Sequence, residues 1–222
     1  MLALKQALSL VSTNTLGWKP SDETSLEAWY KNQTGITLNG SDVSAWADSS
    51  GKGHDLSQAT ASDQPAYSGG VLTFDGTDDN LASNQINLAA SSEATIAIRG
   101  DFSSGTGTML GDDDGTNAFI NLQATNEIRV RPTGGPADFT LASGNFGDGY
   151  IVITRDSSNN LDAYYNGASI SAQVNKGGTI KIDNMGSYST NDFFDGTIKE
   201  VQIYTSTSAA LTANINTYLS KL

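Results

Sequence analysis

The residues of this chain best suited to chemistry sit in two acidic, loop-like runs. Asp112-Asp113-Asp114-Gly115-Thr116-Asn117 concentrates hard oxygen donors on one turn, the donor type that calcium takes. An EF-hand is excluded, because a loop starting at Asp112 puts Asn117 where that motif requires glycine. Asp112, Asp113 and Asp114 are therefore candidate calcium ligands, with a solvated acidic hairpin tip as the alternative. The second run holds Tyr188, Asn191, Asp192 and Phe193, with Asp195 just beyond. An aromatic face for a sugar ring, beside amide and carboxylate groups for its hydroxyls, makes these four the candidate glycan contacts. Phe193 or Phe194 equally suits an anchor that holds the loop in the core.

Catalytic inventory is thin. A nucleophilic triad needs a histidine base, and the one histidine, His54, lies in a Gly-Lys-Gly-His-Asp turn whose glycines mark it as loop structure. The absence of cysteine removes disulfides and thiolate metal sites, and leaves zinc dependent on carboxylates. No enzyme is expected from this set. With 12 Lys and Arg against 24 Asp and Glu, the formal net charge is -12. The basic residues are scattered, so neither a nucleic acid nor an anionic membrane is an expected partner.

Strands must position the two runs. Gly numbers 23 in the 222 residues and charged residues are 16%, a composition that suits many short strands joined by turns. In Val71-Leu72-Thr73-Phe74-Asp75, Leu72 and Phe74 share a face, and Asp75-Gly76 then turns the chain toward a returning strand that carries Leu81. Ile96 with Ile98, Ile128 with Val130, and Ile151 with Ile153 repeat the alternation. Leu161, Ala163 and Tyr165 lead into Asn166-Gly167, a hairpin signal. Ser208 is placed to cap a helix whose stripe is Leu211, Ile215, Tyr218 or Leu219, and Leu222. Trp29 and Trp46 read as core residues and Trp18 as part of an N-terminal arm. Within that arm, residues 1–24, Leu4, Leu8 and Val11 fall on one helical face. They either fray or dock onto a partner.

The order of these pieces resembles a family. Trp29-Tyr30, then Trp46-Ala47-Asp48-Ser49-Ser50-Gly51-Lys52-Gly53-His54-Asp55, then Pro65-Ala66-Tyr67 and Phe74-Asp75-Gly76-Thr77-Asp78-Asp79-Asn80-Leu81 are similar to the opening of laminin G-like domains. Those domains belong to the concanavalin A-like lectin and glucanase superfamily. Phe194-Asp195-Gly196-Thr197-Ile198-Lys199-Glu200-Val201-Gln202-Ile203-Tyr204, followed by a helix, resembles that family's last strand and tail. The resemblance covers residues 25–222 and implies an all-β, antiparallel jelly-roll β-sandwich with a C-terminal helix behind a short arm. It also implies calcium at a loop rim and glycan binding as the common non-catalytic role. The family's hydrolases carry a Glu-x-Asp-x-Glu type spacing, which is absent, since Ser25, Trp29, Thr95, Arg129 and Gln202 stand two positions after the five glutamates. Glu200 therefore reads as a structural carboxylate.

A chain that starts at methionine, lacks a convincing leader and carries one domain behind an arm also resembles stand-alone virion proteins of tailed phages. That layout implies a structural virion-surface protein, a capsid decoration or a tail or fibre component, made in the host cytoplasm. It would attach through Leu4, Leu8 and Val11 to capsid or tail proteins or to further copies of itself, and adhere to cell-surface glycans. The alternatives are a free, extracellular lectin-like carbohydrate-binding module and, third, a glucanase.

Overall fold

The computed structural model describes residues 17–114, 117–189 and 192–222. Leu4, Leu8 and Val11, and with them the docking stripe, lie outside the described residues, as does Asn191. The chain opens with β1 (Leu26–Tyr30), β2 (Ile36–Asn39) and β3 (Asp42–Trp46). Next come β4 (Leu56–Ser57), β5 (Ala66–Ser68), β6 (Val71–Asp75) and β7 (Leu81–Leu88). The long β8 (Ala94–Gly111) precedes β9 (Phe119–Ala124), β10 (Glu127–Arg131) and β11 (Ala137–Thr140). Then follow β12 (Asp148–Arg155), β13 (Asn160–Tyr165), and the short β14 (Ala168–Ser169) and β15 (Val174–Asn175). β16 (Ile180–Met185), β17 (Asp195–Tyr204) and the helix α1 (Ala209–Leu219) complete the fold.

The ladders are antiparallel, and β8 belongs to two of them. Its first half pairs with β12 on one side, Ile96 opposite Ile153, and with β17 on the other, Ile96 opposite Ile203. One layer therefore runs β1–β17–β8–β12–β13. The far end of β8 pairs instead with β9, Gly111 opposite Phe119, and with β16, Leu110 opposite Met185. That gives a second layer, β7–β16–β8–β9–β10–β11. Register shifts between Asp195 and Thr197 and between Ile198 and Glu200 bend β17 where the layers part, as bulges do. Ile96, Ile98, Ile151 and Ile153 of the first layer share one core with Leu122, Ile128, Phe139 and Ile182 of the second. The protein is an antiparallel β-sandwich of jelly-roll type.

The opposite face of the first layer is covered too. Trp29, Ala97, Tyr150, Val152 and Tyr204 pack against Leu211, Ile215 and Leu219 of α1. β12 consequently reads as a nearly unbroken apolar run, Tyr150 to Ile153, because it is buried on both sides. Ser208 Oγ accepts the Leu211 N–H at 3.0 Å, the N-cap expected from the sequence. The turn Asn166-Gly167, with φ of 49° and 80°, closes the β13–β14 hairpin.

Two expectations change. β6 and β7 exist, but they do not form a hairpin: β6 pairs with β5 and β17, and β7 with β4 and β16. The reason lies in the connecting loop, where Asp75 Oδ1 accepts the Thr77 N–H at 2.8 Å and Asp79 Oδ2 accepts the Asp75 N–H at 2.9 Å. These bonds satisfy the loop backbone internally, so the chain can cross from one ladder to the other without a tight turn. Trp18 belongs to the folded body rather than to an arm. It meets Tyr218 edge-on with ring centroids 6.0 Å apart, and its Nε1 donates to Glu23 Oε1 at 2.8 Å.

Candidate ligand-binding rim

The end of β8 and the segment between β16 and β17 meet at one rim of the sandwich. Gly107 has a φ of 95°, and a side chain there would collide with the Phe193 carbonyl, 2.0 Å from an added Cβ. Only glycine allows this approach. Thr108 N–H then donates to the Asp192 carbonyl at 2.8 Å, and the Thr108 hydroxyl to Asp192 Oδ2 at 2.7 Å. Asn121, 2% exposed on β9, donates its Nδ2 to the same carboxylate oxygen at 2.9 Å. One oxygen of Asp192 thus latches the loop, while the residue as a whole stays exposed.

The acidic run lies beside this latch. Asp112 and Asp114 come together with Asp183 of β16, their carboxylate oxygens within 4.8 Å of one another. Asp113 points its backbone rather than its side chain at the group, donating its N–H to Asp183 Oδ1 at 2.7 Å. Gln85 of β7 donates its Nε2 to Asp112 Oδ1 at 2.7 Å and to Asp114 Oδ2 at 3.0 Å, and lies 3.4 Å from Asp183 Oδ2. Burial pushes the Asp183 carboxyl up, and repulsion from Asp112 and Asp114 adds to it, against the opposing bonds from Asp113 and Gln85. Three carboxylates, two from the turn after β8 and one from within β16, are an all-oxygen set that fits a hard divalent cation.

An aromatic row borders the same loop. Tyr188 and Phe119 stack obliquely with centroids 5.1 Å apart, and the Tyr188 hydroxyl donates to Asn117 Oδ1 at 2.5 Å. Arg131, directly opposite Phe119 in the β9–β10 ladder, lies with its guanidinium 5.7 Å from that ring centroid. Of the candidate glycan residues, Tyr188 and Phe193 are half-buried and Asp192 is exposed. Phe194 is the core anchor, fully buried and 5.8 Å from Phe74 between ring centroids. Sequence reading missed Gln85, Asp183, Phe119 and Arg131, and only the strand pairing brings these to the rim.

A second acidic group, Asp75, Asp78 and Asp79, forms in the loop between β6 and β7. Burial, with smaller repulsions from Asp75, Asp78 and Asp42, pushes the Asp79 carboxyl up to about 6 from an ordinary 3.8. The fold therefore favours its protonated form. The stability this contributes is fully present below 3.8 and lost as pH rises through about 6. Asp79→Asn keeps an acceptor for the Asp75 N–H and cannot titrate. Stability from urea unfolding between pH 5 and 7 should vary less in this variant and be higher at pH 7, by on the order of 1–3 kcal/mol. Parallel pH profiles for the two proteins would contradict the assignment.

The other polar residues singled out by sequence are structural. His54, 7% exposed, lies 3.1 Å from Glu27 through Nε2 and 2.9 Å from Asn84 Oδ1 through Nδ1. Glu200 is fully buried and accepts from Trp29 Nε1 at 2.8 Å, Gln202 Nε2 at 2.7 Å and Asn32 N–H at 3.1 Å.

No protein-family model matches the chain, and no curated protein matches it. Solved structures do. The binding domain of Paraclostridial Mosquitocidal Protein 1 superposes with a TM-score of 0.58 at 16% identity, over 91% of this chain and 53% of that one. A structure of botulinum neurotoxin type C, described with cell entry that depends on two ganglioside molecules, gives 0.55 at 13% identity, over 90% and 51%. Trypanosoma rangeli sialidase gives 0.57 at 13% identity, over 89% and 32%. The chain thus spans about half or less of these structures. At such identities the likeness shows the fold alone, an antiparallel β-sandwich.

Proposed function

We propose that the chain is a non-catalytic, lectin-like module that binds glycans at this rim, with Asp112, Asp114 and Asp183 holding calcium. The observation that carries the reading is the convergence at one rim of a half-buried tyrosine stacked on Phe119, an exposed Asp192 and a three-carboxylate cluster. Sugar binding uses this combination of an aromatic face and fixed polar groups on a rigid scaffold. The ganglioside-dependent entry described for the type C neurotoxin, and the binding-domain role of the mosquitocidal protein's domain, agree with it.

Glycan-array and thermal-shift measurements with and without calcium test the reading. Calcium is expected to raise the melting temperature of the parent protein, at 100 times its Kd by the equivalent of about 2.7 kcal/mol. Asp183→Asn should lose that shift. Tyr188→Ala should keep it while weakening glycan binding about tenfold, the usual weight of one stacking ring. An array silent in both conditions would remove the glycan assignment, and a parent protein indifferent to calcium would remove the metal.

We further propose that this module is carried on a virion surface through Leu4, Leu8 and Val11. What supports it is the apolar stripe in the sequence. A chain lacking residues 1–16 should keep its melting temperature and fail to enter particles, and normal incorporation would overturn the idea.

A further inference from the structure

We infer that the groove between α1 and the outward face of β13 is a second ligand site, independent of the rim, and that it takes a neutral saccharide. The two sites lie toward opposite ends of β8. Its Gly111 end borders the rim, whereas Thr95 near its start pairs with Thr154, which lines the groove.

The groove follows from the alternation of β13. Leu161 and Ala163 point into the core, so Asp162 and Tyr164 point out, toward the N-terminal half of α1. Farther along, Ile215 and Leu219 seat α1 on the sheet, and Gly167 lies close under Asn216. The space left between has a volume of about 430 Å³, within the range of small-ligand sites.

Its walls are polar and acidic. Among the lining residues Asp156 and Asp162 are carboxylates, and none is basic. An anionic ligand would meet repulsion without a compensating cation. Asp162 is oriented by Gln173, whose Nε2 donates to Oδ2 at 2.8 Å, leaving the other oxygen available. Asp156 is fixed by Asn160, through its N–H at 2.8 Å and its Nδ2 at 2.8 Å, and by the Ser158 N–H at 2.9 Å. Four hydroxyls, those of Thr154, Tyr164, Thr207 and Thr212, line the same space without a hydrogen-bond partner among the described residues. Asn216 also lines it, and its Oδ1 is buried with no partner among them. Polar groups held in place but unpaired are costly in a closed core and useful where a ligand supplies the missing bonds. Hydroxyls of a sugar act as both donor and acceptor, and the half-buried Tyr164 ring offers a face for its C–H surface.

Titration of the full chain followed by amide chemical shifts tests this, with lactose, maltose, cellobiose and chitobiose as neutral probes, sialyllactose as the anionic one and spermidine as a cation. At about 20 mM, a concentration that detects millimolar affinity, at least one neutral disaccharide should shift the amides of Asp162, Tyr164 and Thr212. Sialyllactose should shift them less. Tyr164→Ala and, separately, Asp162→Ala should weaken that binding about tenfold while each protein keeps a cooperative thermal transition. Tyr188→Ala at the rim should leave it unchanged, which separates this site from the one proposed above. Silence of the groove amides toward every neutral sugar, a response to spermidine alone, or equal loss with Tyr188→Ala would overturn the inference.

Discussion

Replacing Arg155 with alanine is expected to destabilise the sandwich by about 4 kcal/mol, at the upper end for single substitutions. The side chain is 1% exposed at the end of β12. Its Nη2 donates to the carbonyls of Leu88 at 3.0 Å and Ala89 at 2.6 Å and to Ser92 Oγ at 3.1 Å. Nε donates to the Ser92 carbonyl at 2.9 Å, and Nη1 to the Gly178 carbonyl at 3.0 Å. Among the described residues no carboxylate pairs with it, so burial holds its pKa below the ordinary value. The guanidinium instead gathers the carbonyls of the β7–β8 connection and of the chain entering β16. Truncation would leave the carbonyls of Leu88, Ala89, Ser92 and Gly178 without this donor beside a cavity, and each unsatisfied buried group costs about 1–3 kcal/mol before relaxation and water entry reduce the sum. Arg155→Lys keeps the charge but not the fork, and should fall between the two. Urea unfolding at constant m-value measures the difference. A loss under about 1 kcal/mol for Arg155→Ala would show that water replaces the fork at little cost.

Much of the fold was legible because it depends on neighbours in sequence. The alternation of Leu161 with Asp162 and Ala163 with Tyr164, the Asn166-Gly167 turn, and the stripe of Leu211, Ile215 and Leu219 each declare a face or a turn within a few residues. What was not legible depends on pairing. Arg155 follows Thr154 and precedes a turn-forming Asp156, so in sequence it looks like an exposed strand end. Asp112 and Asp114 were visible as an acidic run, but their third partner comes from Ile180-Lys181-Ile182-Asp183, where Asp183 occupies what reads as a surface position. Phe119 and Arg131 meet only through the β9–β10 register. The β6–β7 reading erred for the same reason, since adjacency in sequence suggested a hairpin that the bonds of Asp75 and Asp79 replace with a crossing loop.

Phe74→Ala should cost about 3–5 kcal/mol and should also disturb the rim, although Phe74 touches no ligand group. The ring is 1% exposed and lies against Phe194, with centroids 5.8 Å apart. Gly186, at a φ of 97°, packs so closely that a Cβ there would stand 2.5 Å from the Phe74 ring. The two ends of the rim segment are tied at this point, because Phe194 N–H donates to the Gly186 carbonyl at 2.8 Å and Gly76 N–H to the Phe194 carbonyl at 3.1 Å. Removing the ring leaves a cavity under both ties, and well-packed surroundings close such a space only in part. The segment carrying Tyr188, Asp192 and Phe193 should then sample more conformations, and positioned contacts lose strength when their support loosens. Urea unfolding should show the stability loss. At a temperature where Phe74→Ala is still folded, its calcium and glycan responses should both be weaker than those of the parent, whereas Phe74→Leu should retain most of each. A Phe74→Ala protein that is destabilised as expected yet binds as the parent does would mean that the rim is held by the Asp192 latch alone.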